Sequence, residues 1–153
     1  MKRILCAGLL AMLAATPVLA EEVKVSDAWS RATAPGQDSA MVQLVITSKK
    51  AGALIAGASK IAQTVEIHTM VMEGNMMKMR QVDAVELPAG KAVDLGEAGY
   101  HLMLIGLKKP LKEGAETEVV LTVRLADGKE EKVKVKAEIK PLTESGQHEH
   151  MHH

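Results

Sequence analysis

A chain of 153 residues with 19 basic and 19 acidic side chains, ten methionines, one cysteine and no phenylalanine fits one domain of ordinary size. The even charge balance excludes the strongly basic surface that tracks a phosphate backbone. A single cysteine excludes an internal disulfide, so stability must come from the core alone.

Residues 1–20, "MKRILCAGLLAMLAATPVLA", read as an export signal. Lys2 and Arg3 give a positive start, Ile4 through Ala15 an apolar run, and the small residues ending at Ala20 a cleavage site. The run is shorter than the roughly 20 residues a membrane-spanning helix needs, so the mature protein is expected to be exported to the periplasm without a membrane span. Cleavage would remove Cys6, which sits too near the start for an apolar region to precede it as a lipid attachment point. It would also leave 17 basic residues against 19 acidic ones, a net charge of −2. No thiolate ligand then remains, and any soft-metal site must use thioether and imidazole.

The mature segment 21–142 alternates with period two, as half-buried strands do. "EVKVSDAW" puts Val23 and Val25 on one face, and Trp29 in the same phrase reads as a core anchor. "AMVQLVITS" follows with Val42, Leu44 and Ile46. "TVEIHTMVM" and "NMMKMRQVDAVEL" are joined by Glu73-Gly74-Asn75. "YHLMLIGL" ends at "KKPLKEG". "TEVVLTVRL" and "EKVKVKAEI" meet across "ADGK", where Asp-Gly signals a hairpin. Seven or so short strands with turns between them predict an antiparallel all-β domain, a β-sandwich or Greek-key barrel. From Thr143 the alternation stops, and 143–153 read as a flexible His- and Met-rich tail.

Five of the ten methionines fall between Met70 and Met79. Gly74-Asn75 suits a two-residue loop, which sets Glu73 opposite Met76 and pairs Met72 with Met77, Met70 with Met79 and His68 with Gln81. His68 and Met79 then lie diagonally on one face, while Val65, Ile67, Val82 and Ala84 take the other as the core side. A three-residue loop would shift the register and send Met79 away from His68. In "YHLML", His101 and Met103 share a face, with Leu102 and Leu104 on the opposite one. Methionine also fills irregular core gaps, and a lone buried histidine is commonly satisfied by a backbone carbonyl. Against that stands the grouping: the only two histidines outside the tail each have a methionine at strand spacing. Two imidazoles and two thioethers could make one four-coordinate site, and that donor set selects Cu(I) over Mg, Ca or Mn.

The spacing of His68, Met79, His101 and Met103, together with "DAWSRATAPGQ", "VEIHTM", "MKMRQV", "LPAGKAVDLGEAGYHLML" and "GLKKPLKEG", resembles the periplasmic copper chaperones with a PCuAC-type domain. The resemblance covers nearly all of residues 22–140. It implies a cupredoxin-like Greek-key β-barrel that binds one Cu(I) through those four residues. The implied recipient is the CuA centre of cytochrome c oxidase, directly or through Sco-type thiol proteins. Met70, Met72, Met76 and Met77 are expected to pack nearby without ligating. The tail "HEHMHH" resembles the extensions of some members, which implies Cu(II) or further copper at His148, His150, Met151, His152 and His153.

Copper sequestration for tolerance would use the same site. A metal-independent β-sandwich interaction module is the alternative without copper. An electron-transfer cupredoxin would need a cysteine thiolate that the mature chain lacks. Neither a Ser/His/Asp grouping nor a remaining thiol supports an enzyme.

Overall fold

The computed structural model describes residues 21–143; the leader and nearly all of the tail lie outside the described residues. Ten strands form one mixed sheet: β1 (Val23–Arg31), β2 (Ser39–Ser48), β3 (Gly52–Ala58), β4 (Thr64–Glu73), β5 (Met76–Gln81), β6 (Val85–Leu87), β7 (Ala92–Asp94), β8 (Tyr100–Ile105), β9 (Glu116–Leu125) and β10 (Glu130–Lys140). Hydrogen-bonded neighbours run β5-β4-β8-β2-β1-β10-β9-β3-β6, with β7 on β2. A further pairing of β3 with β4, at Gly57 and Val65, joins the two ends of that path into a barrel. No helix occurs among the described residues.

The expected all-β class holds, with two differences. The first and last strands, β1 and β10, run parallel at Trp29–Glu138, Ser30–Ile139 and Arg31–Lys140, so the sheet is mixed and not purely antiparallel. The described residues also form ten strands where seven or so were expected. The segment "GALIAGA" forms β3 despite its two glycines and three alanines, because β9, β6 and β4 all bond to it. Gly57 is needed where it stands: a Cβ there would meet Val65 Cγ1 at 2.7 Å. "NMMKMRQVDAVEL" is two strands, since Val82–Ala84 turn away from β4 and deliver β6 to β3.

The core follows the alternation. Val42, Leu44 and Ile46 of β2, Leu102 and Leu104 of β8, and Val119, Leu121 and Val123 of β9 are buried on the inner side. Among the described residues none of the buried hydrophobic side chains is a methionine. Trp29 is not the core anchor expected; it is half-buried, with Lys140 Nζ 4.6 Å and the Arg31 guanidinium 5.5 Å from its ring centroid. Its strand is bulged between Ser26 and Trp29, where Asp27 takes a positive φ of 52°, and the bulge turns the indole outward.

Both predicted hairpins form, with different loops. Glu73 opposes Met76 across Gly74-Asn75, and Gly74 has φ 62° while Asn75 does not go positive, as in a type II′ turn. At "ADGK" the loop has three residues: Gly128 N–H bonds Leu125 O at 2.9 Å and Leu125 N–H bonds Lys129 O at 2.8 Å. Gly128, with φ 87°, supplies the left-handed residue that closes it.

Leu104 is fully buried on the strand that carries His101, so Leu104→Ala should cost about 2–5 kcal/mol in chemical denaturation. Gly74→Ala should cost about 1–2 kcal/mol through its left-handed backbone. It should act locally, raising amide hydrogen exchange in β4 and β5 before the rest of the sheet.

Candidate metal centre

β4 is the strand on which the site is assembled. On one edge it pairs with β8 through Thr69–Tyr100; on the other it meets β3 only at Val65, then β5 from His68 onward. Its even-numbered residues face outward, with Ile67 on the core side at 4% exposure. The β4–β5 register is the one the two-residue loop predicts: Met72–Met77, Met70–Met79 and His68–Gln81. The odd-numbered residues of β4 form the hydrogen-bonded pairs, as Val82 N–H to Ile67 O at 2.9 Å shows. The methionine pairs therefore occupy the non-hydrogen-bonded positions, where opposed side chains come closest.

β8 sets His101 directly opposite His68 and Met103 opposite Glu66. The two imidazoles meet edge to face, with centroids 5.6 Å apart and planes at 62°. His101 is 4% exposed although it lies on the outward face, and its Nε2 is buried without a hydrogen-bond partner. His68 Nε2 lies 2.8 Å from Glu66 Oε2, and its Nδ1 is also buried without a partner. A neutral ring donating from Nε2 to that carboxylate leaves its lone pair on Nδ1. Two unsatisfied, buried nitrogens on facing residues are what an absent electrophile would leave behind. A carboxylate holding the far nitrogen is the usual support of a metal-binding imidazole.

The four residues read from the sequence share this face. His68 and His101 are brought into contact. Met79 and Met103 sit on opposite diagonals of His68, the first beside Met70 on β5 and the second beside Glu66 on β8. Met79 is 52% exposed, whereas Met103 is half-buried. Met76 is not near this group as expected: it opposes Glu73 and points to the other side of the hairpin. Glu73 is there paired with Lys78, at 2.8 Å, and with Arg80. The tail residues His148, His150, Met151, His152 and His153 lie outside the described residues.

Three groups were not singled out from the sequence. Glu66 is one, and its position two residues before His68 on a strand was the available signal. Met41 opposes Met103 on β2, 40% exposed, adding a thioether to the same face. Gln43 stands one register step past the Val42–Leu102 pair, alongside His101. Its Nε2 donates to Met41 Sδ at 3.7 Å and its Oε1 is buried without a partner. Among the described residues no three His, Cys, Asp or Glu side chains cluster as a metal site, so a metal ion on this face would need thioether donors as well.

Burial, and secondarily the proximity of His68, lowers the His101 pKa from its ordinary 6.5. The folded state thus favours the neutral ring. The unfolded chain takes up the proton first as pH falls, so His101 lowers stability from about pH 6.5 downward, fully so once pH is below its folded pKa. Denaturation midpoints should fall between pH 7.5 and 5, and His101→Gln should flatten that slope.

A model of the family described as "Putative lipoprotein LpqE-like" matches residues 23–138. The chain belongs to the LpqE-like family. Over 125 residues this LpqE-like chain is 32% identical to "Putative lipoprotein Lxx21020" of Leifsonia xyli subsp. xyli (strain CTCB07), covering 80% of the chain and 74% of the relative. Both descriptions read "Putative lipoprotein", which fits an exported chain but runs against the expectation that Cys6 is not a lipid attachment point. Among solved structures, the LpqE-like fold superposes on the apo PCuAC domain from PmoF1 with a TM-score of 0.62 at 24% identity, over 79% of this chain and 95% of that one. It also matches the solution structure of the Cu(I) form of DR1885 from Deinococcus radiodurans, with a TM-score of 0.55 at 28% identity over 74% of each chain. The resemblance to PCuAC-domain proteins drawn from the motif therefore holds for the fold.

Proposed function

We propose that this LpqE-like protein is a Cu(I) chaperone that binds the ion through His68, Met79, His101 and Met103 and delivers it outside the cytoplasm. The observation that carries the reading is the pair of buried, unpartnered nitrogens, His68 Nδ1 and His101 Nε2, on directly opposed residues. The Cu(I) form of DR1885 supports the choice of ion, and so does donor chemistry, since thioether and imidazole together favour Cu(I) over hard cations. Neither donor type has to lose a proton near neutral pH. Copper uptake is therefore set by imidazole protonation alone, and the depressed His101 pKa keeps that ring available.

Cu(I) is cargo in this reading, held by neutral donors at the surface and passed on by ligand exchange. Met79 is the exposed donor and the histidines are the sheltered ones. An acceptor therefore reaches the ion from the hairpin side, displacing the thioether first. A CuA centre of cytochrome c oxidase, or a Sco-type thiol protein on the way to it, would be such an acceptor, and the periplasm the compartment. The tail histidines His148, His150, His152 and His153, with Met151, would add a separate Cu(II) site.

Anaerobic Cu(I) titration with X-ray absorption on the product tests the site. One equivalent should show mixed nitrogen and sulfur scattering. His68→Ala, Met79→Ala and His101→Ala should each weaken the first equivalent severely, while Met72→Ala leaves it in place; equal losses from all four would sink the assignment. Glu66→Gln should lower Cu(I) affinity by roughly 10–100-fold, because it supports His68 without touching the ion. In cells, loss of oxidase activity at low copper after deletion indicates delivery. Copper sensitivity with intact respiration indicates sequestration instead.

A further inference from the structure

We propose that the tip of the β4–β5 hairpin is a second soft-cation site, built from the thioethers of Met70, Met72 and Met77, with Met79 standing between it and His68. The argument begins with where methionine is absent. Every buried hydrophobic residue among those described is Val, Leu, Ile or Ala, so this protein does not use methionine to fill its core. Among the described residues six of the seven large apolar side chains left exposed are methionines, and five of those belong to this hairpin. Exposures there run from 41% at Met70 to 65% at Met72. If the hairpin needed only an apolar surface or strand propensity, Val, Ile or Leu would serve better. Methionine adds one thing they lack, a sulfur donor.

The register then concentrates those donors. Met72 faces Met77 and Met70 faces Met79, in adjacent rungs on one face, both at non-hydrogen-bonded positions. Opposed Cα atoms at such positions are about 4.5 Å apart, and rungs on one face are separated by about 7 Å. Unbranched side chains with three rotatable bonds can turn their sulfurs inward to a common point from that spacing. β4 pairs with β8 only as far as Thr69, so beyond it the two strands have only each other as strand partners and their outward face is open. The opposite face of the tip carries Met76 as its one thioether, beside Glu73 paired to Lys78 and Arg80. The other four hairpin thioethers therefore gather on a single face. No carboxylate or imidazole belongs to its rungs, which suits a monovalent soft ion such as Cu(I) or Ag(I) and disfavours a hard one.

The site stands on the hairpin alone and does not require the histidine pair to bind copper. Its role as an entry point, handing the ion through Met79 to His68 and His101, rests on the preceding reading. Exchange between thioethers moves no proton and no electron, so such a transfer needs no co-reactant.

The test uses the full chain labelled with 13C-methyl methionine and titrated with Ag(I), a soft ion with no redox chemistry under these conditions. The methyl resonances of Met70, Met72 and Met77 should shift together. The double variant M72L/M77L, which keeps apolar volume on an exposed hairpin, should take up one equivalent of Ag(I) fewer. If those three methyls stay in place through three equivalents, or if only Met79 moves, the proposal is overturned; unchanged uptake by the double variant overturns it as well. The wild-type resonances decide the matter even if the variant does not fold. Imidazole 15N shifts of His68 and His101 report the other site separately, so failure of one reading is distinguishable from failure of the other.

Discussion

The pairing of β4 with β8 holds two imidazoles edge to face, one of them almost fully buried, with a ring nitrogen on each left unsatisfied. A fold tolerates such a cost when surrounding structure over-determines it. Here that structure is the apolar inner face of the same strands. Ile67, Leu102 and Leu104 fix the register from beneath, and a one-residue slip would turn every one of them toward water. The core therefore does more than stabilise the barrel. It forbids the histidines from separating.

Around that pair the face is graded. Glu66 and Gln43 flank the imidazoles with polar groups, one bonded to His68 and the other with an unpartnered oxygen beside His101. Thioethers stand farther out, Met103 and Met41 toward β2, Met79 and Met70 toward the hairpin. On the hairpin side softness and exposure increase together, from His101 at 4% to Met79 at 52% and Met72 at 65%. That gradation accords with the carrier role proposed above, in which an ion is held firmly in one place and loosely in another.

Much of this was legible in the residues. Period-two alternation located β2, β8, β9 and β10, because each has one dry face. Gly74-Asn75 fixed the hairpin register, and with it the common face of His68 and Met79, because a glycine at positive φ admits few loop geometries. Three things were not legible. β3 is written in small residues whose strand character comes from neighbours distant in sequence. The parallel seam between β1 and β10 is a property of closure that no local pattern encodes. Met41 and Gln43 lie some sixty positions from the residues they flank, so their place beside Met103 and His101 emerges only once β2 and β8 are paired. The leader and the histidines of the tail lie outside the described residues, and their reading rests on sequence.

The exposure of the hairpin thioethers has a chemical side of its own. Sulfur held this open to solvent is within reach of peroxides, and conversion to the sulfoxide replaces a soft donor with a polar oxygen. The buried aliphatic core offers no such target. Oxidative damage would therefore make this face polar long before it weakened the barrel, leaving a protein still folded but with fewer soft donors on its surface.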